Sequence, residues 1–128
     1  MKLLLDAHAF LWFIAGDERL TNKARSIIED AEKYSFVSAA TLWEIALKTS
    51  LGRLSLTVPF GDLISHQMRL NGFQLLSINP SHLELLLSLQ FHHRDPFDRI
   101  IVAQAAVEAM SIVSADSSLD AYEVKRLW

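Results

Sequence analysis

The chain has 128 residues, of which 51% are hydrophobic, with no cysteine and a formal charge of −3. That length suits one domain, residues 1–128, with a sizeable core. The lack of cysteine excludes disulfides and thiolate metal sites, and mild acidity is not the mark of a general nucleic-acid binder, which is usually basic. A mean hydropathy of +0.21 is high for so short a chain and is explained either by apolar surface that a partner covers or by a large core alone.

KLLLD, at 2–6, is a short apolar run that reads as a central strand. Asp6 and His8 interrupt the apolar opening, so we expect no signal peptide, no membrane span and a cytoplasmic location. AHAFLWFIAG continues as a helix that stops near Gly16. NKARSIIEDAEK has helical spacing, with Ala24, Ile27, Ile28 and Ala31 on one side. YSFVS reads as a second strand and AATLWEIALKTSLG as a strongly apolar helix. A helix over about Phe60 to Leu70 follows, then the strand FQLLSI, the helix HLELLLSLQF and a last long helix from about Phe97 to Met110. SIVSAD is a fourth strand and YEVKRLW a short fifth one. Apolar strands alternating with helices predict a parallel sheet covered on both faces.

In such folds ligands bind at the carboxyl ends of the strands. The first strand ends in Asp6 and the fourth in Asp116. The second ends in Ser38, with Glu44 a turn and a half into the next helix. Asp98 opens the long helix that feeds the fourth strand. Each acid also has a local explanation. Asp6 and Asp116 can cap helices, Glu44 can complete a capping box with Thr41 or pair with Lys48, and in HHRDPFDR the pattern makes Asp95 the N-cap, Pro96 the first helical residue and Asp98 the third. Together, four acids in apolar surroundings need a counter-charge, because two carboxylates about 5 Å apart repel by roughly 3 kcal/mol at an effective dielectric near 20. A divalent cation such as Mg²⁺ or Mn²⁺ supplies it. One ion would activate water and a second would stabilise a leaving oxygen, which points to a phosphodiester substrate.

Setting these four acids aside leaves eleven acids against twelve bases, so the acidity belongs to the candidate site. Arg94, Arg99, Lys48 and Arg53 lie near it in the expected fold and can meet phosphates, although solvated surface explains each one singly. His8, His92 and His93 stay outside the site, because Mg²⁺ sites rich in carboxylate seldom use histidine. Trp12, Trp43 and Trp128 are assigned to core packing, and Asp120 to capping or solvation.

LLLDAHAFLW, VSAATLWEIALK, HHRDPFDRIIVAQA and IVSAD, in this order and spacing, resemble the PIN-domain ribonucleases and, more closely, the VapC-type toxins of toxin–antitoxin pairs. LGRL at 51–54 and the closing Y-x-V-x-x-L-W extend the resemblance over the whole chain. It implies a three-layer α/β/α sandwich with a central, mainly parallel sheet of four to five strands. It further implies a Mg²⁺- or Mn²⁺-dependent endoribonuclease, usually a homodimer, whose antitoxin partner occludes the site. The acidic quartet of the family maps onto Asp6, Glu44, Asp98 and Asp116, as catalytic and metal-binding residues, with Ser38 and Ser114 supporting. Ala7 departs from the pattern, since a threonine often stands there, and the missing hydroxyl is expected to modulate activity more than abolish it.

Two other readings compete. An aspartyl-phosphate phosphatase needs a second aspartate two positions after the first, where His8 stands; a receiver domain needs adjacent acids and a late lysine that are not visible. A PIN-like domain that binds RNA or protein without cutting is the other, and metal titration separates it from a nuclease.

Overall fold

A computed structural model describes residues 1–92 and 94–128. The strands are β1 (Lys2–Leu5), β2 (Tyr34–Ser38), β3 (Gln74–Leu76), β4 (Ser111–Val113) and β5 (Arg126–Leu127). The helices are α1 (Ala7–Ala15), α2 (Asn22–Glu29), α3 (Ala39–Ser50), α4 (Phe60–Asp62), α5 (Pro80–Ser88) and α6 (Pro96–Glu108). The strands form one sheet in the order β3-β2-β1-β4-β5, and every neighbouring pair is parallel. This is the expected α/β sandwich, with five strands among the described residues.

Strand alternation sorts the apolar residues of β1 between two cores. Leu3 and Leu5 join Phe10 of α1, Ala24 and Ile28 of α2, and Leu42 and Ile45 of α3 on one face. Leu4 points the other way, into Ile100, Ile101, Val102 and Ala105 of α6. β4 repeats the division, Val113 with the first core and Ile112 with the second. Burial on both faces explains why these strands read as unbroken apolar runs.

Helix ends follow local chemistry. Gly16 adopts a left-handed φ of 65° and its amide closes α1, the usual glycine C-cap. α2 is shorter than its sequence spacing suggests: it stops at Glu29, and Ala31 is exposed beyond it. The Asp30 side chain turns the chain instead, accepting from the Glu32 amide and the Lys33 ammonium. The segment expected as a helix over 60–70 is a three-residue α-turn followed by a π-helical stretch, Leu63–Met68. Among the described residues no helix is long and apolar enough to cross a membrane.

Two contacts fix α6, which carries Asp98. At its far end, fully buried His82 accepts from the Asn79 amide at Nδ1 (2.9 Å) and pairs through Nε2 with Glu108 at 3.0 Å. Because Nδ1 accepts, Nε2 carries the hydrogen and donates it to the carboxylate. At its near end, Arg99 donates to the carbonyls of Gln90 (2.8 Å) and Leu89 (3.1 Å) and stacks on Phe91 at 3.9 Å. Arg99 is only 6% exposed, so it serves the fold and is not available to phosphates as the sequence suggested. His82→Ala should lose about 2–4 kcal/mol in chemical denaturation, from a cavity plus two broken hydrogen bonds. His82→Gln, which retains both an acceptor and a donor, should lose less.

Candidate active site

The strand order reverses direction of travel between β1 and β4, and the crevice at their carboxyl ends is where such sheets place ligands. The Asp6 amide donates to the Val113 carbonyl at 3.2 Å, knitting the two strand ends together. Asp6 also caps α1, its Oδ1 accepting from the Ala9 amide at 2.9 Å. Asp116 lies three residues beyond β4 rather than at its end. It starts the 3-10 turn Ser117–Ala121, accepting from the Ser118 amide at 3.0 Å. Fully buried Ser114 joins these two acids: its hydroxyl donates to the Asp6 carboxylate while Oγ accepts from the Asp116 amide at 3.0 Å.

Buried Ser38 caps α3 by accepting from the Ala40 amide at 3.0 Å; Thr41 does not form the capping box with Glu44. Ser38 thereby sets the start of the helix that carries Glu44, whose side chain is 12% exposed and pairs with Lys48 at 2.5 Å. Asp95 caps α6 through the amides of Phe97 (2.8 Å) and Asp98 (3.3 Å), as the HHRDPFDR spacing predicts. Trp43 is 61% exposed rather than in the core. Its ring meets Phe97 edge-on with centroids 5.0 Å apart, beside Glu44 and Asp98. Trp12 and Trp128 do pack against the core and each other. Asp120 pairs with Arg126 at 2.8 Å, His8 stacks on Trp12 while His92 meets Tyr122 edge-on, and His93 lies outside the described residues.

The four candidate acids therefore share one electrostatic neighbourhood. The Asp98 carboxyl is pushed up to about 7, first by burial and then by Asp95, Glu44, Asp116 and Asp6. Asp95 is the largest of those charge contributions, a consequence of i, i+3 spacing that an assignment to capping alone overlooks. Burial likewise raises Asp6, opposed by its bonds to Ser114 and Ala9. A carboxyl held near half-ionised at neutral pH by other acids gains from a divalent cation, and an all-oxygen donor set suits Mg²⁺ or Mn²⁺. The acids are not gathered into a tight cage, however. Among the described residues no three His, Asp or Glu side chains stand close enough to hold a metal. The spacing fits coordination by few protein oxygens and several waters, the usual habit of Mg²⁺. Nor does the cluster lack a counter-charge, since Lys48 already meets Glu44 and lies in the field of Asp95 and Asp98.

Residues 3–125 match the PIN domain, and the chain belongs to that family. It is similar to ribonuclease VapC22 of Mycobacterium tuberculosis, 28% identical over 97% of this chain and 94% of that protein. The similarity to ribonuclease VapC16 of the same organism, 34% identity, covers 48% of this chain and 43% of that protein. The fold matches VapBC2 of Rickettsia felis, solved bound to a DNA fragment from their promoter. The TM-score is 0.73 at 10% identity, covering 99% of this chain and 98% of that one.

The raised Asp98 carboxyl carries a pH signature. Unfolded aspartate titrates near 3.8 while Asp98 in the fold titrates near 7. The folded state therefore binds the extra proton, and stability falls as pH climbs between those values. In chelator, Asp98→Asn should match the parent at about pH 3.5, below both values, pull ahead as pH rises through about 5, and be about 1–3 kcal/mol more stable at about pH 8, where repulsion is relieved. That gain exceeds the few tenths to 1 kcal/mol of helix-dipole interaction given up. Thermal melts of both proteins across this range read the difference directly.

Proposed function

We propose that this chain is a Mg²⁺- or Mn²⁺-dependent endoribonuclease that acts as the toxin of a toxin–antitoxin pair. The observation that carries the reading is Asp98, whose carboxyl is raised by burial and by acids from three other parts of the fold at the sheet's switch point. Membership of the PIN family and the likeness to ribonucleases named VapC support RNA as the substrate. A bound Mg²⁺ or Mn²⁺ would supply an activated water and charge neutralisation at the phosphodiester. Asp6, Glu44, Asp98 and Asp116 are the proposed ligands. Ser114 fixes Asp6 relative to Asp116, and Ser38 fixes the helix register of Glu44. Exposed Arg53 and Arg94 remain available to the RNA backbone.

Protein freed of any antitoxin should cut RNA with Mg²⁺ or Mn²⁺ and stop on chelation. Asp98→Asn and Asp116→Asn should lose cleavage by at least a hundredfold. Asp95→Asn should keep it, because asparagine caps a helix about as well as aspartate, whereas Asp95→Ala should lose about 0.5–2 kcal/mol of stability. Cleavage that survives chelation, or a fully active Asp98→Asn, would overturn the metal mechanism. New RNA ends that appear in cells on induction, and not with Asp6→Asn, would identify the substrate. The absence, among the described residues, of three acids within ligating reach favours one other reading, a PIN domain that binds RNA or protein without cutting; it predicts no cleavage and no stabilisation by either metal.

The apolar surface supports the partners. Trp43, Leu47 and Leu51 form an exposed stripe along and just beyond α3, while Leu83, Leu87 and Phe91 are exposed on and beyond α5. A homodimer and an antitoxin would together cover such surface. An acidic pocket also receives a guanidinium well, since arginine binds carboxylates bidentately. In a complex, the antitoxin should place an arginine, or less often a lysine, near Asp6 and Asp98. A complex that leaves this pocket open to solvent would count against it.

A further inference from the structure

The Lys48–Glu44 pair is more than a helix-surface contact. An ordinary i, i+4 pair has both ends in water and contributes little. Here the two ends differ, with the carboxylate 12% exposed and the lysine side chain 41% exposed. A carboxylate so far from water needs a partner, and Nζ provides it at 2.5 Å. The same ammonium lies in the field of Asp95 and Asp98, on the facing helix. Lys48 thus sits where positive charge is most favourable, against one of the proposed ligands and facing another.

We propose that Lys48 is a resident counter-cation that holds Glu44 in the metal-free protein and must be displaced when Glu44 ligates a divalent ion. This rests on the metal-dependent reading of the site. Nζ occupies Oε2 of Glu44, so an ion that ligates through that oxygen must take its place, and part of the metal's attraction for Glu44 is spent in breaking the existing pair. Metal binding is weakened by that exchange, and Glu44 is kept oriented in the meantime. The exchange also frees the ammonium, whose side chain is 41% exposed. Lys48 is accordingly a positioning residue, acting through Glu44.

Two measurements on the intact chain test this. The first is amine-specific acylation of the parent protein, read by mass spectrometry at each lysine. Labelling of Lys48 should rise several-fold with saturating Mg²⁺, while labelling of Lys23 and Lys125, away from the acids, stays constant. The second is calorimetric titration with Mn²⁺. Lys48→Met should bind about tenfold more tightly than the parent, and Lys48→Arg, which preserves the pair, should stay within a few-fold. Unchanged Lys48 labelling on Mg²⁺ addition overturns the proposal even if Lys48→Met does not fold. Equal or weaker Mn²⁺ binding by folded Lys48→Met overturns it while leaving the metal site intact. A parent that binds neither metal removes the metal site itself, and Lys48 with it.

Discussion

Negative charge concentrated at the carboxyl ends of β1 and β4 is the constraint to which the rest of the fold answers. Asp6, Glu44, Asp98 and Asp116 come from separate parts of the chain, and crossovers of a parallel sheet bring them to one edge. Burial, and then repulsion from Asp95 and the other three acids, lifts Asp98 to about 7. Close carboxylate pairs cost roughly 3 kcal/mol at moderate dielectric, a large fraction of the 5–15 kcal/mol that holds a domain together. The fold offsets this with local donors. Amides at helix starts meet Asp6, Asp95 and Asp116, the Ser114 hydroxyl meets Asp6, and Lys48 meets Glu44.

Those compensations blur the distinction between structural and functional aspartates. From sequence, Asp6 and Asp116 can be read either as caps or as ligands; the structure shows the capping bonds in place and the same side chains inside the acidic field. The readings do not exclude each other. A carboxylate has two oxygens and about four lone-pair sites, so one oxygen can accept an amide while the other faces the crevice. Capping also orients the group, because the amide it accepts from belongs to a rigid helix. Asp98 differs in having no local backbone duty: Asp95 caps α6, and Asp98 is left to bear the field.

Much of the fold was legible because both-faced burial writes itself as apolar runs. KLLLD, YSFVS and SIV became strands, and the parallel order followed from the helices between them. The illegible parts share a cause: competition between local and tertiary terms. The spacing of Ala24, Ile28 and Ala31 continues a helical pattern, yet Asp30 turns the chain before it is completed. Trp43 looks like core among Leu42 and Ile45, but those two, at i, i+3, share the buried face, and Trp43, one position on from Leu42, turns away from it. Arg99 looks like a surface base beside a phosphate site. Its burial depends on carbonyls at the end of α5, a partnership with no sequence signature. Lys48 was visible as a helix pair, whereas the unequal exposure of its two ends was not.

The placement of Asp98 finally depends on contacts far from it. α6 is buried along most of its length by Ile100, Ile101, Val102 and Ala105, which resists tilting but not sliding along its axis, since apolar packing has little directionality. Directional bonds at both ends supply what packing lacks. His82 clamps Glu108 at the carboxyl end, and Arg99 holds the chain leading into the amino end through two carbonyls. Both anchors run to α5, so α5 and α6 move as a pair, and Asp98 approaches Glu44 only as far as that pair allows. The position from which Asp98 meets the field of Glu44 is thus set by polar anchors at the two ends of α6.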